Sequence, residues 1–132
     1  MYYKIAQFTI VVDDYDKAID FYTGKMGFVL LEDTDLGGGK RWVRISPDPS
    51  AETAILLAKA KNERETHSIG NQTGGRVGFF LHTNDIKKVY EHLITNGVKL
   101  FRPISHETFG IVAVFEDIYG NLWDIIQPKK MS

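Results

Sequence analysis

The sequence has no cysteine. That removes disulfides, thiolate metal sites and a cysteine nucleophile, and it fits a reducing compartment. Charge of one sign is also lacking: 16 Lys and Arg stand against 17 Asp and Glu, a formal net charge of −1. No broad field therefore favours nucleic acid or an acidic membrane surface. The basic residues are scattered, and the late pair Lys129-Lys130 reads as a solvated tail. No apolar run approaches the ~20 residues that cross a bilayer. Met1-Tyr2-Tyr3-Lys4 lacks the basic-then-apolar layout of a secretory leader. A cytoplasmic protein with no nucleic-acid or membrane partner is expected. Serine–histidine–acid sets and HExxH motifs are missing too. Gly70 to Arg76 is rich in glycine but has no G-K-[ST] ending and precedes a strand, so it reads as a linker or flap and not a phosphate loop.

What is present is ordinary globular material: 132 residues, 43% hydrophobic and 25% charged, the size of one domain with a proper core. Ile5 to Val12 reads as a strand. Asp13-Asp14 offers a cap to a helix whose apolar face is Ala18, Phe21 and Tyr22, with Gly24 or Gly27 ending it. Strands are predicted at 28–32, 41–46 and 53–58, with a glycine-rich turn at 35–40. Residues 59–75 form a polar connector with room for a helical turn. The order of elements then begins again: a strand at 77–83, a cap at Asn84 or Asp85, and a helical stripe of Ile86, Val89, Tyr90 and Leu93 closed by Asn96-Gly97. Strands follow at 98–102, 110–116 and 122–127.

This repetition is the most informative feature. A shift of 71 positions lays Asp14 on Asp85, Lys17 on Lys88 and Ala18 on Val89, with one residue fewer before the second helix ends. The fold class expected is α+β, with two tandem βαβββ modules at about 4–60 and 76–128 joined by a linker at 61–75, all within one domain spanning 1–132.

Two stretches carry a resemblance to a known family. Phe8-Thr9-Ile10-Val11-Val12-Asp13-Asp14-Tyr15-Asp16-Lys17-Ala18-Ile19-Asp20-Phe21-Tyr22, leading to Met26-Gly27-Phe28, resembles the opening of a vicinal-oxygen-chelate module. Phe115-Glu116-Asp117-Ile118-Tyr119-Gly120-Asn121-Leu122-Trp123-Asp124-Ile125 resembles its closing motif, F-x-D-P-x-G-N-x-x-E-[LI], with Ile118 in the proline position. The chain is thus similar to the glyoxalase, bleomycin-resistance and extradiol-dioxygenase proteins from about Ile5 to Gln127. The resemblance implies curved sheets around a cavity, a homodimer, and in metal-using members one divalent ion that chelates two adjacent oxygens.

Carried over position by position, the family's ligand sites fall on Gln7 in the first strand, Ile55 in the first module's last strand, Gly78 at the 71-residue spacing, and Asp124 in place of the usual glutamate. Two oxygen donors, one a neutral amide, make a poor divalent site, since a catalytic zinc takes three protein ligands. No cofactor is therefore expected at the standard site. A divalent metal stays open as an alternative through Gln7, Asp124 and His82, because His82 shares a strand face with Gly78. His82 otherwise acts as a base or simply bonds a carbonyl or water.

Asp124 sits in the apolar run Leu122-Trp123-Asp124-Ile125-Ile126. It reads either as a cavity acid or residual ligand, or as half of a salt bridge to Arg41, Arg44 or Arg76. Trp42, Phe80, Phe101 and Trp123 are the aromatic candidates to line a ligand pocket with Gln7; each also reads as plain core. Three functions follow: binding of a small-molecule ligand without the metal, with Asp124 and His82 as the catalytic candidates should chemistry occur; a metal-dependent lyase, isomerase or dioxygenase with a shifted site; or a dimeric interaction module with no ligand.

Overall fold

The computed structural model describes residues 1–130, in two compact units that divide between Ile69 and Gly70, inside the polar connector. In the first unit, β1 (Gln7–Val12) leads to α1 (Tyr15–Ile19), which continues as a π-helical segment over Asp20–Lys25. Then come β2 (Val29–Gly37), β3 (Lys40–Ser46), β4 (Ala54–Lys59) and a short α2 (Glu63–Ser68). The second unit holds β5 (Val77–His82), α3 (Ile86–Thr95), β6 (Lys99–Glu107), β7 (Gly110–Glu116) and β8 (Leu122–Pro128). Each unit is a four-stranded sheet with the same mixed order, β1-β4-β3-β2 and β5-β8-β7-β6, whose first and last strands pair in parallel. The α+β architecture of two βαβββ units is as expected.

The repeat is visible in the capping chemistry. Asp14 Oδ1 accepts from the backbone N–H of Lys17 at 2.9 Å, and Asp85 Oδ1 accepts from that of Lys88 at 3.2 Å, satisfying first-turn donors that have no partner inside the helix. Both helices end at a glycine with positive φ, Gly27 (78°) and Gly97 (77°), the conformation that closes a helix without a Cβ clash. The extra residue of the first copy is taken up by the π-helical segment: Met26 N–H reaches back to Phe21 O at 3.2 Å, one residue further than an α-helix reaches. The closing bond runs from Phe28 to Tyr22 in the first unit and from Val98 to Leu93 in the second.

Alternation then sorts each sheet into two faces. On the helix side of the first unit, Ile10, Val43, Ile45 and Leu57 are fully buried with Ala18 and Tyr22. On that side of the second, Phe115, Trp123 and Ile125 are buried with Ile86 and Leu93 of α3, and Tyr90 meets Phe115 edge-on at 5.5 Å. The opposite face of each sheet, called here the open face, carries the polar and exposed residues that concern function.

The hairpin strands run longer than the sequence suggests. β2 extends through the polar stretch to Gly37, and β6 continues past Pro103 to Glu107. Both are edge strands, where a proline costs no ladder bond facing solvent. Each carries a bulge at the same place: the register slips between Leu30 and Glu32, and between Leu100 and Arg102.

Candidate functional site

Strand register gives the open faces a common grid. One row of the first unit reads Thr9, Leu56, Arg44, Glu32 across its four strands. The matching row of the second unit reads Phe80, Asp124, Val114, Arg102. Thr9 and Phe80 keep the 71-residue spacing; Gly78, which that spacing sets against Gln7, falls at the register slip between Val77 and Phe79. The first-unit counterpart of Asp124 is therefore Leu56, which corrects the expected Ile55 by one residue. Ile55 pairs with Phe8 and Ile45 on the helix side. The four positions are Gln7, Leu56, Gly78 and Asp124.

This donor set does not fit a divalent cation. Leu56 and Gly78 offer nothing, and Gln7 is engaged: its Oε1 accepts from Arg44 Nε at 3.1 Å. Arg44 reaches over β4 to make that bond and lies 3.6 Å from Glu32 Oε1, so a guanidinium already occupies the space beside the amide. A second cation there would meet direct repulsion. Among the described residues no group of three His, Asp or Glu side chains is placed to share an ion. His82 shares the open face with Phe80 and pairs with Ile126. It lies one strand repeat from the Asp124 row, about 7 Å along the sheet.

The second unit's row borders two depressions. One, of about 380 Å³, is lined by Arg76, Phe80, Phe101, Arg102, Val114 and Asp124 among others. The other, of about 260 Å³, shares Arg102, Val114 and Asp124 and adds Ser105, Glu107 and Phe109. Phe80 is 61% exposed and Phe101 47%, large values for aromatic rings. Consecutive residues of a strand normally face opposite ways, yet Phe101 and Arg102 line the same depression; the bulge at Phe101 is the reason. Arg102 Cζ lies 5.7 Å from the Phe101 ring centroid.

Burial pushes the Asp124 carboxyl above the ordinary carboxylate range, and the charge of Arg102 pulls it partly back. The cation near Asp124 is thus Arg102. Of the three arginines considered from sequence, Arg76 borders the same depression, while Arg44 is held by Gln7 and Glu32. Arg41 is held by Asp33, at 3.1 and 2.6 Å, and by Asp16 at 2.9 Å. Those bonds keep Asp33 below its usual range.

Trp123 is corrected as a pocket residue. It is 1% exposed, stacked on Phe79 with centroids 4.6 Å apart, and its Nε1 donates to Asp117 Oδ2 at 3.0 Å. Its neighbour Asp124 faces the open side, so alternation sends Trp123 to the core. Trp42 is half-buried and lines a separate depression of about 430 Å³ in the first unit, with Tyr15, Lys40 and Lys59. Phe80, Phe101 and Asp124 are thus gathered at one place in the second unit, while Gln7 and Trp42 belong to the first.

Comparison with known proteins bears on the family and the fold. A protein of Shewanella frigidimarina, itself uncharacterized, is 47% identical over 94% of this chain and 93% of its own length. The crystal structure of UcmS2 matches with a TM-score of 0.83 at 30% identity, covering 96% of this chain and 98% of that one. TnmS3, described as an antibiotic binding protein from Streptomyces sp. CB03234, matches with a TM-score of 0.77 at 28% identity, covering 97% and 98%. The sequence profile that matches residues 4–125 is that of one family. The chain belongs to the Glyoxalase/Bleomycin resistance protein/Dioxygenase superfamily.

Proposed function

We propose that this protein binds a small aromatic molecule on the open face of its second unit, without the family's divalent metal. The observation that carries the proposal is the pair of exposed rings, Phe80 and Phe101, bordering a depression of about 380 Å³ beside Asp124. Covering two such rings is worth about 2 kcal/mol each before the costs of association. The occupied amide of Gln7 and the lack of any donor side chain at Leu56 and Gly78 support a metal-free mode. The antibiotic-binding description of TnmS3 supports a sequestering role. The assembly proposed is a homodimer in the cytoplasm, and light scattering of purified protein tests the dimer.

The binding experiment is calorimetry against a panel of neutral and charged aromatic compounds, repeated with Phe80→Ala and Phe101→Ala. Saturable binding that both substitutions weaken is expected. A panel that never binds, or binding indifferent to both substitutions, overturns the proposal. A second reading, a metal-dependent lyase, isomerase or dioxygenase with a shifted site, draws on the shared face of His82 and the Asp124 row. Stoichiometric metal in the purified protein, with turnover lost on chelation and in His82→Ala, would favour it instead.

A further inference from the structure

We infer that the open-face depression of the second unit selects planar aromatic anions, an arylcarboxylate or phenolate, with Arg76 and Arg102 receiving the negative group and Phe80 and Phe101 holding the ring. This rests on the binding reading above and names the ligand class for the same place.

The inference comes from a contrast between the two units. On the first sheet both guanidinium groups are neutralised: Arg41 by Asp33 and Asp16, Arg44 by Glu32, with Gln7 taking a further hydrogen bond. On the second, no carboxylate lies within ion-pair distance of Arg76 or Arg102 among the described residues, and both border one depression. A guanidinium is planar and always charged, and its parallel N–H groups match the two oxygens of a carboxylate. Two such forks left open beside the exposed rings of Phe80 and Phe101 are donors without a carboxylate acceptor among the described residues.

Asp124 is the single carboxylate on this depression's lining. It leaves the local balance positive, with two guanidinium groups against one acid. Burial raises its carboxyl above the ordinary range and the charge of Arg102 pulls it partly back. A site built to take an amine would show the reverse balance. The bulge at Phe101 completes the arrangement, because it brings a ring and a guanidinium to the same side of one strand.

Calorimetry with three probes of one shape tests the inference: naphthoate, naphthylmethanol and naphthylmethylammonium. Naphthoate is expected to bind at least about tenfold more tightly than the alcohol, the value of one charge-assisted hydrogen bond, and the ammonium weakest. Arg76→Gln and Arg102→Gln should each abolish most of that preference by weakening naphthoate far more than the alcohol, and Arg102→Lys should lose part of it. Arg41→Gln should keep the full preference. Melting curves of each variant show that the fold is retained. Equal affinity for naphthoate and the alcohol, both dependent on Phe80, overturns the anion selection while the ring-binding reading stands. Tightest binding of the ammonium overturns it in favour of Asp124 as the recognising group. If none of the three binds but other compounds of the panel do so through Phe80, the anion selection alone falls; if nothing binds, both fall.

Discussion

Asp117 and Trp123 are joined by a 3.0 Å hydrogen bond from the indole Nε1 to the carboxylate Oδ2, and the turn before β8 is organised around it. The same carboxylate accepts from the backbone N–H groups of Tyr119 and Asn121 and from Asn121 Nδ2. Asp117 is 5% exposed, so none of these donors has water as a ready substitute. The aspartate and asparagine of the closing motif are thus explained as a buried anchor that aims Trp123 into the core and leaves Asp124 on the opposite face.

Asp117→Ala is expected to destabilise the protein by about 3 kcal/mol, because several buried donors lose a charged acceptor at once. Trp123→Phe, which keeps the stack on Phe79 and removes one donor, should cost about 1 kcal/mol. Urea unfolding of the two variants measures the difference. A smaller loss for Asp117→Ala than for Trp123→Phe would contradict the anchoring role.

Phe80→Ala and Phe101→Ala should change stability by no more than about 0.5 kcal/mol, as surface substitutions do. Trp123→Ala should cost roughly 3–5 kcal/mol by leaving a core cavity. Denaturant midpoints separate rings kept for a ligand from a ring kept for the fold; a large loss for Phe80→Ala would assign that ring to the fold.

The Asp124 carboxyl is raised in the folded protein by burial. In the window between its unfolded and folded values the folded state therefore holds more protons, so this group's contribution is fully present below the unfolded value. It is lost as pH rises through the folded one. Asp124→Asn should remove that fall. Comparing melting temperatures of the two proteins from acid to neutral pH, the variant is expected to gain on the parent as pH rises. A parent that gains on the variant would show a carboxylate stabilised by Arg102 more than burial penalises it.

Chelation should leave the melting temperature and the naphthoate affinity unchanged, and added zinc or nickel should not raise the melting temperature. A ligand that binds only the folded state stabilises it in proportion to its occupancy. A saturable rise with either ion would mean that side chains other than the four grid positions hold it.

Much of the fold was legible because its signals are local. Asp14 and Asp85 cap as their spacing suggests, Gly27 and Gly97 end both helices, and the α3 stripe turns Ile86 and Leu93 inward. The polar halves of β2 and β6 were hidden, since charged edge strands show no apolar period. The site was read less well. Thr53 to Leu57 is too uniformly apolar to reveal its faces, which is why Ile55 stood in for Leu56. The role of Arg102 depends on a bulge that single-sequence reading does not locate, although Pro103 beside it marks an irregular edge. Trp123 could have been placed correctly: adjacent residues on a strand without a bulge face opposite ways, so assigning Asp124 to the open side consigned its neighbour to the interior.

The π-helical segment at Asp20–Lys25 bears on how the two halves have stayed alike despite unequal length. A residue inserted into a strand reverses every side chain beyond it. The first half carries its surplus residue as a local widening of the helix instead, and the chain re-enters β2 in the same phase in which the second half enters β6. The helix serves as the expansion joint of the repeat. Single-residue insertions and deletions between Asp20 and Lys25 should therefore be absorbed where the same changes in β4 or β8 would scramble the grid.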